Sequence, residues 1–370
     1  PAVVLDSVPG NWQQQYGLTQ EWLRTSNPTS KVKGVYRKGG IGYQFTHAGY
    51  GTYEHLAKTA HQFEIDADDS KIYVDLGYQF SQNTTWAQDS GAAQYHHFNI
   101  APVTRGKNGI LSYEFGLQFA GTQTAGLDSN RFEFYVFPRI NLQAELLRRT
   151  LAIYGGWDGA VEQNTLRSLI AQAPQLSLVQ EQRLSGNNRG YVGMQGALVG
   201  KLQYRLEGSM AFLNDAVVFE RDTLATLKTV GDAQLAALQV GYADNVVRTS
   251  VRGELNIPLK HFTASTYAQL SAFSGDAFIG REGRVMGAMA QYRINELSVR
   301  TNLKYVGGRY AVDGYSLEDY LDWSAAVNYE INDHLSVSLN GYNLLGRRYQ
   351  LWEGYYVRGA RGLFTLNYQF

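Results

Sequence analysis

Apolar and polar residues alternate along most of this chain with a period of two. The pattern is clear in KIYVDLGYQF (71–80), LSYEFGLQF (111–119) and LFTLNYQF (363–370). Successive side chains of a β-strand point to opposite faces, so each segment predicts a strand with one apolar and one polar face. The chain is therefore expected to be all-β.

The alternation predicts strands along nearly the whole chain after residue 32. The candidate segments are 33–46, 52–66, 71–82, 92–104, 109–122, 130–144, 147–157, 188–199, 201–220, 232–242, 245–257, 262–274, 284–294, 296–306, 322–331, 334–344 and 357–370. A closed single-chain barrel normally has an even number of strands, so one of these segments should be wrong. The first segment and the region 213–232 fit the pattern least well. We predict about 16 strands, within a range of about 14 to 18.

The polar faces of several candidate strands carry charged residues in mid-strand. These residues are Arg205, Glu207, Arg248, Arg252, Glu254, Arg300 and Lys304. Two architectures accommodate strands with one apolar and one charged face. One is a two-sheet sandwich with its polar faces in solvent, and the other is a wide barrel with lipid outside and a charged, wet lumen.

Three features favour the barrel. The candidate strands exceed the about 5 to 6 residues of ordinary sheets and suit the about 9 to 11 residues that cross the hydrocarbon core. Aromatic residues recur near the ends of the apolar faces, as in the girdles of membrane barrels. Tight turns at 294–296 and 331–334 contrast with long connections at 158–187, 306–321 and 345–356. We therefore predict a transmembrane antiparallel β-barrel with the seven charged residues facing its lumen.

Composition restricts the partners and the chemistry. The chain has 33 basic and 33 acidic residues, so its charge gives no reason to expect nucleic acid as a partner. It contains no cysteine, which excludes disulfides and thiolate metal sites and suits an exported bacterial protein. No apolar run reaches about 18 residues and no signal peptide stands at the start, so we expect no helical membrane span and an export signal already removed. We predict no cofactor.

The start of the chain departs from the strand pattern. The first 31 residues lack clean alternation and contain three of the seven prolines. We expect 1–32 to form an irregular or short-helical segment, either periplasmic or lumen-filling. The outer-membrane barrel is then expected to occupy 33–370.

A short helix is predicted in the long connection after residue 157. Leu166, Leu169 and Ile170 have helical spacing, and Asn164 or Thr165 is a suitable N-cap. At about 30 residues, the connection is longer than a plain linker between strands. We expect it to fold into the lumen, cover the mouth of the barrel or contact a partner.

The sequence contains no motif typical of an enzyme or a metal site. His96 and His97 are adjacent and therefore face opposite sides of a strand. No nucleophile elbow, phosphate loop or zinc-ligand spacing is present, so we predict neither an enzyme nor a metal centre. An enzyme embedded in the barrel wall is the weakest of the functional hypotheses.

Two groups of charged residues have both a plain and a functional interpretation. Glu318, Asp319 and Asp322 are predicted to be solvated, with a cation site at the rim as the alternative. Arg347 and Arg348 are predicted to be solvated turn residues, with contact to lipopolysaccharide phosphate as the alternative.

Residues 335–370, LSVSLNGYNLLGRRYQLWEGYYVRGARGLFTLNYQF, resemble the end of a TonB-dependent outer-membrane receptor barrel. That family closes with a strand leading into an Asn-Leu pair, a Tyr, an aromatic-rich external loop, a Gly-Arg element and a last strand ending in Phe. The corresponding residues here are Asn343, Leu344, Tyr349, Trp352, Tyr355, Tyr356, Arg358, Gly359 and Phe370. The stretch 212–242 also resembles a pair of strands in these barrels.

The resemblance implies a bacterial outer-membrane location and a role for the last strand. In the family, the terminal aromatic strand is the address read by the barrel-assembly machinery, which here implies Phe364, Leu366, Tyr368 and Phe370. A last strand that only closes the barrel agrees equally well with the pattern. Family members also have a long N-terminal plug and about 22 strands. We therefore expect a reduced relative without the plug, or the barrel part of a larger protein.

Two main hypotheses for function follow. The first is a passive or partner-gated outer-membrane channel for small solutes. The second is a structural or accessory subunit of a larger outer-membrane complex, with its lumen filled by side chains and by the N-terminal segment. The expected partners are outer-membrane lipid and lipopolysaccharide, the barrel-assembly machinery during biogenesis, and other outer-membrane or periplasmic subunits.

Overall fold

A computed structural model of the chain shows strands joined by turns and loops. It describes residues 3–4, 14–23, 34–47, 53–67, 70–84, 93–125, 130–173, 176, 182–198, 201–221, 228–230, 233–235, 238–275, 279–312, 314–353 and 355–368. Among these residues, no helix is long and apolar enough to cross a lipid bilayer.

Strands account for almost all of the regular structure. The first half of the chain contains β1 (Val3–Val4), β2 (Gln14–Leu23), β3 (Gly34–His47), β4 (Tyr53–Ala67), β5 (Ser70–Thr84), β6 (Ala93–Asn108), β7 (Leu111–Ala125), β8 (Asn130–Leu147), β9 (Leu151–Gln163) and the helix α1 (Leu166–Gln172). The second half contains β10 (Leu184–Leu198), β11 (Leu202–Asn214), β12 (Ala216–Arg221), β13 (Lys228–Val230), β14 (Ala233–Leu235), β15 (Leu238–Ala243), β16 (Val246–Pro258), β17 (Phe262–Phe273), β18 (Arg284–Ile294), β19 (Leu297–Gly307), β20 (Arg309–Tyr310), β21 (Ser316–Leu317), β22 (Tyr320–Asn332), β23 (Leu335–Tyr342), β24 (Gln350–Trp352), β25 (Tyr355–Tyr356) and β26 (Arg361–Tyr368).

Seventeen of the described strands form a closed barrel. They are β2 to β11, β16 to β19, β22, β23 and β26. From β2 to β26, each barrel strand pairs antiparallel with the next barrel strand along the chain. The predicted all-β antiparallel barrel is confirmed, and its strand number lies within the predicted range.

Two strand assignments differ from the sequence prediction. Gln14–Leu23 pairs along Gly34–His47, so the irregular structure expected for 1–31 is wrong over these ten residues. Tyr16, Leu18 and Trp22 do alternate, but Gln20 interrupts the apolar face and hides the pattern. The separate N-terminal segment expected for the remainder of 1–32 stays a prediction.

The second difference lies in the candidate strand 232–242. Leu238–Ala243 pairs with Ala216–Arg221 in a two-stranded sheet that is not part of the barrel. The candidate strand 201–220 correspondingly divides into β11, in the wall, and β12, beyond it. One of the candidate segments was expected not to be a barrel strand, and that segment is 232–242. Alternation alone does not distinguish a wall strand from a strand in a long connection.

The apolar face of the wall points outward. Leu206, Met210, Val251, Leu255 and Leu270 are between 44% and 52% exposed, although they lie in mid-strand. Together with similar residues on the other strands, they form a continuous apolar outer surface.

The polar face is the concave one. Arg139 on β8 contacts Asp75 on β5 at 3.0 Å, although β6 and β7 lie between their strands. Adjacent strands are about 4.8 Å apart, so side chains can meet across two intervening strands only where the wall curves toward them. The charged faces of the strands therefore line the inside of the barrel.

The two ends of the barrel differ, as the sequence predicted. At one end the strands are joined by tight turns, in which Arg149 and Asn295 have positive φ values of 61° and 48°. At the other end lie the long connections between β9 and β10, β11 and β16, β19 and β22, and β23 and β26. The β1 strand also lies at this end, where it pairs with β25.

Candidate functional site: the lumen and its loop cap

The barrel encloses a polar cavity of about 1150 Å³ against the wall formed by β3 to β6, β8 and β9. We call it the lumen cavity. Its polar lining residues include Lys38, Lys58, Gln62, Asp75, Gln79, His97, Asn99, Arg105, Arg139 and Gln163. Its lining has few bulky apolar side chains, and a cavity of this size and polarity accommodates a small hydrated solute.

Ion pairs neutralise the arginines of the lumen cavity. Arg139 bridges Asp75, at 3.0 Å, and Glu114, at 2.9 Å. Arg105 binds the second oxygen of Glu114 at 2.6 Å. The four groups form one chain of alternating charge across β5 to β8.

Two lysines keep the lumen cavity positively charged. Lys38 and Lys58 are exposed to the cavity. Neither forms an ion pair or a hydrogen bond with the residues that the structure describes. The arginines are compensated by Asp75 and Glu114, so the lysines leave a surplus of positive charge, which attracts anions.

Two of the seven predicted lumen charges belong to a second ion-pair network. Arg205 binds Glu207 at 2.7 Å, and its Nε donates to the hydroxyl of Tyr154 at 2.8 Å. Tyr154 in turn donates to Glu207 at 3.1 Å. Arg189 extends the network by binding Asp158 through two nitrogens and lying 3.5 Å from Glu207.

The other five predicted charges lie on the same inner face but do not converge on one site. Arg252 and Glu254 pair at 2.6 Å, and Lys304 binds Glu282 at 2.9 Å. Within the described residues, Arg300 donates only to Gln291, at 3.4 Å. Arg248 has no ion pair or hydrogen bond among the described residues. A role of these residues in solute passage stays a prediction.

The helix α1 forms where the sequence predicted it. Thr165 is the N-cap, and its hydroxyl accepts a hydrogen bond from the backbone N–H of Ser168 at 3.1 Å. Leu166, Leu169 and Ile170 are all buried. The apolar side of this short helix therefore packs against other elements.

Those elements are parts of the other long connections. The buried cluster comprises Leu166, Leu169, Ile170, Ala173, Leu176, Val217, Phe219, Leu238 and Trp352. We call this cluster the loop cap. At its centre, Trp352 packs edge-on against Phe219, with ring centroids 5.0 Å apart, and donates its indole N–H to the carbonyl of Gln172 at 2.8 Å.

The loop cap is anchored to strands β3 and β4 of the wall. The backbone N–H of Leu166 donates to the Glu54 carboxylate on β4 at 3.0 Å. Arg167 donates to Gln44 on β3 at 2.9 Å. Since α1 follows β9, these contacts join the connection after β9 to strands β3 and β4, so the helix lies at the mouth of the barrel. Whether the connection covers the mouth, fills the lumen or contacts a partner stays a prediction.

The family-motif residues near the C-terminus hold the last long connection in place. Asn343 has a positive φ of 46°, and its side-chain amide donates to the carbonyls of Arg347 and Arg358 at 2.7 and 2.8 Å. Tyr349 stacks on Tyr320 with ring centroids 3.9 Å apart.

Neighbouring motif residues make fewer contacts. The backbone N–H of Leu344 donates to Trp323 at 2.8 Å, and its side chain is 37% exposed. Gly359 lies in the turn before β26, where an added Cβ would meet nothing within 4 Å. In the described residues, the contacts of this motif hold the last long connection in its conformation.

The last strand presents its aromatic face outward. Phe364, Leu366 and Tyr368 are 66%, 60% and 60% exposed and alternate along β26, which pairs with β23. Phe370 lies outside the described residues. Recognition of this strand during assembly stays a prediction.

The remaining candidate residues do not form a ligand site. His97 lines the lumen cavity, whereas His96 lies on the outer face beside Tyr78. Within the described parts of the chain, no group of three or more His, Asp or Glu side chains is arranged to hold a metal ion. The carboxylate of Asp319 is paired with Arg284 at 3.1 Å.

The two arginines proposed to meet phosphate have free side chains. Arg347 and Arg348 are exposed, and their guanidinium groups form no hydrogen bond or ion pair with the described residues. Their exposure agrees with the prediction that they are solvated turn residues.

Two anchoring residues were not predicted from the sequence. Glu54 is fully buried at the rim, and Arg309, which is 2% exposed, donates to three backbone carbonyls. Each occupies an ordinary polar position in its strand or loop, so no local pattern distinguishes it from a solvated residue.

Solved structures of outer-membrane transporters share this barrel fold at very low sequence identity. The copper transporter OprC aligns with a TM-score of 0.65 and 12% identity, covering 98% of this chain and 66% of that chain. The FrpB iron transporter from Neisseria meningitidis, F5-1 variant, aligns with a TM-score of 0.67 and 10% identity, covering 97% and 64%. A mutant form of the ferric enterobactin receptor PfeA from Pseudomonas aeruginosa aligns with a TM-score of 0.59 and 11% identity, covering 100% and 72%.

The likeness is one of fold. The chain spans between 64% and 72% of the length of these three proteins. No family model matches the sequence, and no curated protein does so. The structural likeness extends along nearly the whole chain and not only over residues 335–370, where the sequence resemblance is strongest.

Proposed function

We propose, from the barrel fold that this chain shares with TonB-dependent outer-membrane transporters, that it lies in the bacterial outer membrane and passes small polar solutes through its lumen. The loop cap is the gate at the outer mouth. The observation that carries the proposal is the polar lumen cavity of about 1150 Å³ inside the wall.

The outer surface supports the membrane location. Exposed apolar side chains such as Phe134, Leu206 and Leu270, at 56%, 44% and 52%, would be costly in water over such a large continuous area. A closed barrel satisfies the backbone hydrogen bonds within the wall, as hydrocarbon requires. The long connections correspond to the external side and the tight turns to the periplasmic side.

The loop cap supports gating. Its cluster is apolar and well packed, so it blocks water and ions while it stays closed. It is also built entirely from the connections and not from the wall strands, so it can open without breaking the barrel. Loops of this kind are drawn from the less stable parts of a fold.

A second candidate function has its own supporting observation. Ion-pair networks such as Arg139 with Asp75 and Glu114, and Arg205 with Glu207, occupy part of the lumen. A lumen filled in this way would suit a structural or accessory subunit of a larger complex. For that role we expect a stoichiometric partner on purification and no steady current.

Conductance in planar bilayers tests the channel directly. Trp352→Ala removes the side chain at the centre of the loop cap and should destabilise its packing by about 3 to 5 kcal/mol. We expect frequent brief openings in the unmodified protein and long openings in the variant. Trp323→Ala is the matched control, because Trp323 lies on the outer wall and is 40% exposed. If neither the unmodified protein nor Trp352→Ala conducts any current, the proposal that the protein is a channel is rejected.

The terminal strand has a proposed role of its own. We propose that β26 is recognised by the barrel-assembly machinery through its outward aromatic face. Tyr368→Ser should slow insertion into the membrane, whereas Asn367→Ser, on the other face of the strand, should not.

A further inference from the structure

Two neighbouring hairpins carry the same side-chain cluster on the outer surface. Gly42 to Phe45 and Gly77 to Phe80 have the same sequence, GYQF. In each hairpin, the phenylalanine stands directly opposite a histidine of the next strand, Phe45 opposite His55 and Phe80 opposite His96. A barrel wall requires only apolar residues at these positions. The repeated occurrence of a histidine beside a tyrosine and a phenylalanine is therefore not explained by the fold alone.

The two clusters have nearly the same geometry. The hydroxyl of Tyr43 bonds Nδ1 of His55 at 2.6 Å, and the hydroxyl of Tyr78 bonds Nδ1 of His96 at 2.8 Å. Both tyrosine–histidine ring pairs have centroids 6.2 Å apart. The phenylalanine–histidine pairs have centroids 5.0 and 5.1 Å apart, at interplanar angles of 46° and 47°.

Both clusters face outward near the end of the barrel with the long connections. Tyr43 and Tyr78 are 43% and 42% exposed, on the same face as Phe98 and Ile100. His55 and His96 lie two and three residues after the first residues of β4 and β6. At about 3.3 Å per residue, the imidazoles are within about 10 Å of that end of the wall, the level of an aromatic girdle.

Among the described residues, the hydrogen bonds of His55 and His96 leave one nitrogen of each imidazole without a partner. Where Nδ1 accepts the tyrosine proton, the neutral imidazole carries its own proton on Nε2 and is a donor there. Nε2 of His55 and Nε2 of His96 have no partner among the described residues. By contrast, His61 on the same outer face uses both nitrogens, bonding Tyr36 at 3.1 Å and Thr59 at 2.7 Å.

A free N–H donor on a lipid-facing surface requires an acceptor from outside the protein. An unsatisfied polar group costs several kcal/mol in hydrocarbon, and His61, which lies deeper on the same outer face, is satisfied internally. Phosphate oxygens are the strong acceptors available at the level of the headgroups. The tyrosines fix the orientation of both rings, so the two donors are held in place before a lipid arrives.

We propose that His55 and His96 bind the phosphate groups of a phosphorylated lipid in the outer leaflet through their Nε2–H groups. This inference rests on the membrane location proposed above. The two sites lie on one patch of four adjacent strands, β3 to β6, so a lipid with two phosphates would reach both. The aromatic side chains beside them would pack against its sugar and the first carbons of its acyl chains.

Lipid retention measured by native mass spectrometry tests the proposal. The purified protein in detergent is mixed with bisphosphorylated lipid A or with the same lipid after dephosphorylation. We expect retention of the phosphorylated lipid only. Because a hydrogen bond to a charged group is worth about 1.5 to 3 kcal/mol, the double variant His55→Phe and His96→Phe should bind it at least about tenfold more weakly.

Two further variants separate this role from a structural one. His61→Phe, on the same face, should retain the lipid normally, because neither of its nitrogens is free. Replacing both Tyr43 and Tyr78 by Phe keeps the rings but removes the hydroxyls that orient the imidazoles, and should weaken retention partially. Heat-dependent gel migration checks that each variant is folded.

The outcomes distinguish this proposal from the proposed function. Equal retention of the two lipids, or unchanged retention by the double histidine variant, would overturn the phosphate site while leaving the channel untouched. A protein that conducts no current but still retains the phosphorylated lipid would support the site and reject the channel. A chain that is folded and monodisperse without detergent would reject the membrane location and this proposal with it.

Discussion

The Glu54 carboxylate accepts a hydrogen bond from the backbone N–H of Leu166 at 3.0 Å, 112 positions further along the chain. Glu54 is fully buried, and the hydroxyl of Ser81 lies 3.5 Å from the same oxygen. The first backbone N–H groups of a helix have no partner within the helix. This one contact therefore satisfies the start of α1 and attaches the loop cap to the wall.

Removing this anchor should loosen α1. Glu54→Ala removes the buried carboxylate that accepts from the N–H of Leu166, and loss of a hydrogen bond in a buried site costs about 1 to 3 kcal/mol. We expect the amides of 165–172 to exchange hydrogen about tenfold to a hundredfold faster, measured by mass spectrometry. The control is Glu64→Ala, a buried glutamate at the other end of the same strand, which pairs with Lys71. Unchanged exchange in Glu54→Ala would show that packing alone holds the helix.

Charge reversal in the lumen cavity should change its ion preference. Lys58 is exposed to the cavity and unpaired among the described residues, so Lys58→Glu removes one positive charge and adds a negative one. We expect the unmodified channel to prefer anions, and the variant to shift the reversal potential in a salt gradient toward cations. Lys201→Glu, in the tight turn between β10 and β11, should leave the potential unchanged. An equal shift in both variants would place the effect outside the cavity.

Arginine at position 309 should not be replaceable by lysine. Its guanidinium donates to the carbonyls of Gln350, Leu351 and Glu318 at 2.7, 3.1 and 2.7 Å and stacks on Tyr320. A lysine ammonium does not match this planar arrangement, so Arg309→Lys should destabilise the connections it joins by about 2 kcal/mol.

Hydrogen exchange at residues 316–320 and 350–352 measures the effect of the Arg309 substitution. Arg300→Lys is the control, because in the described part of the chain Arg300 makes a single long hydrogen bond, to Gln291. Normal protection of both segments in Arg309→Lys would contradict the structural role.

Asp319 should make stability depend on pH below neutrality. The hydroxyl of Tyr305, the backbone N–H of Gly308 and the charge of Arg284 all favour its carboxylate and lower its pKa. A lowered pKa in the folded state gives stability that is present above the unfolded value of about 3.9 and is lost as the pH falls through the folded value.

Thermal unfolding of the unmodified protein and of Asp319→Asn, measured from pH 7 to pH 3, tests this dependence. The unmodified protein should be the more stable near neutrality, and the difference should decrease as the pH falls below about 4. Asp333→Asn, in the tight turn between β22 and β23, should show no such trend. A difference of the same size at pH 7 and at pH 3 would mean that the substitution acts through packing and not through charge.

Much of the wall was predictable because β-structure has a short-range pattern. The alternation in Leu206 to Met210 or in Val251 to Leu255 identifies the outward face without reference to the rest of the molecule. The same holds for α1, where Thr165 and three apolar residues predict the helix and its buried side. The strand Gln14–Leu23 does not show the same regular alternation, because Gln20 stands at a position where its neighbours Leu18 and Trp22 are apolar.

The lumen and the loop cap depend largely on contacts between residues that are far apart in the sequence, and a local sequence pattern does not predict such contacts. Arg205 and Glu207 are two positions apart on one strand, so their pairing follows from the sequence. The contacts of Glu54 with Leu166, and of Trp352 with Gln172, depend on which long connections meet over the mouth. The same holds for Leu238–Ala243, which alternates like a wall strand but pairs within a connection.

The sequence by itself determined that the chain forms amphipathic β-strands, which side of each strand is apolar, and where the connections are short or long. These properties follow from side-chain positions along a strand, which repeat every two residues. Only the tertiary structure decided which charges are neutralised in the lumen, which loops form the cap and which histidines keep a free nitrogen. Each of these depends on distances between residues far apart in the chain, and closure of the barrel sets those distances.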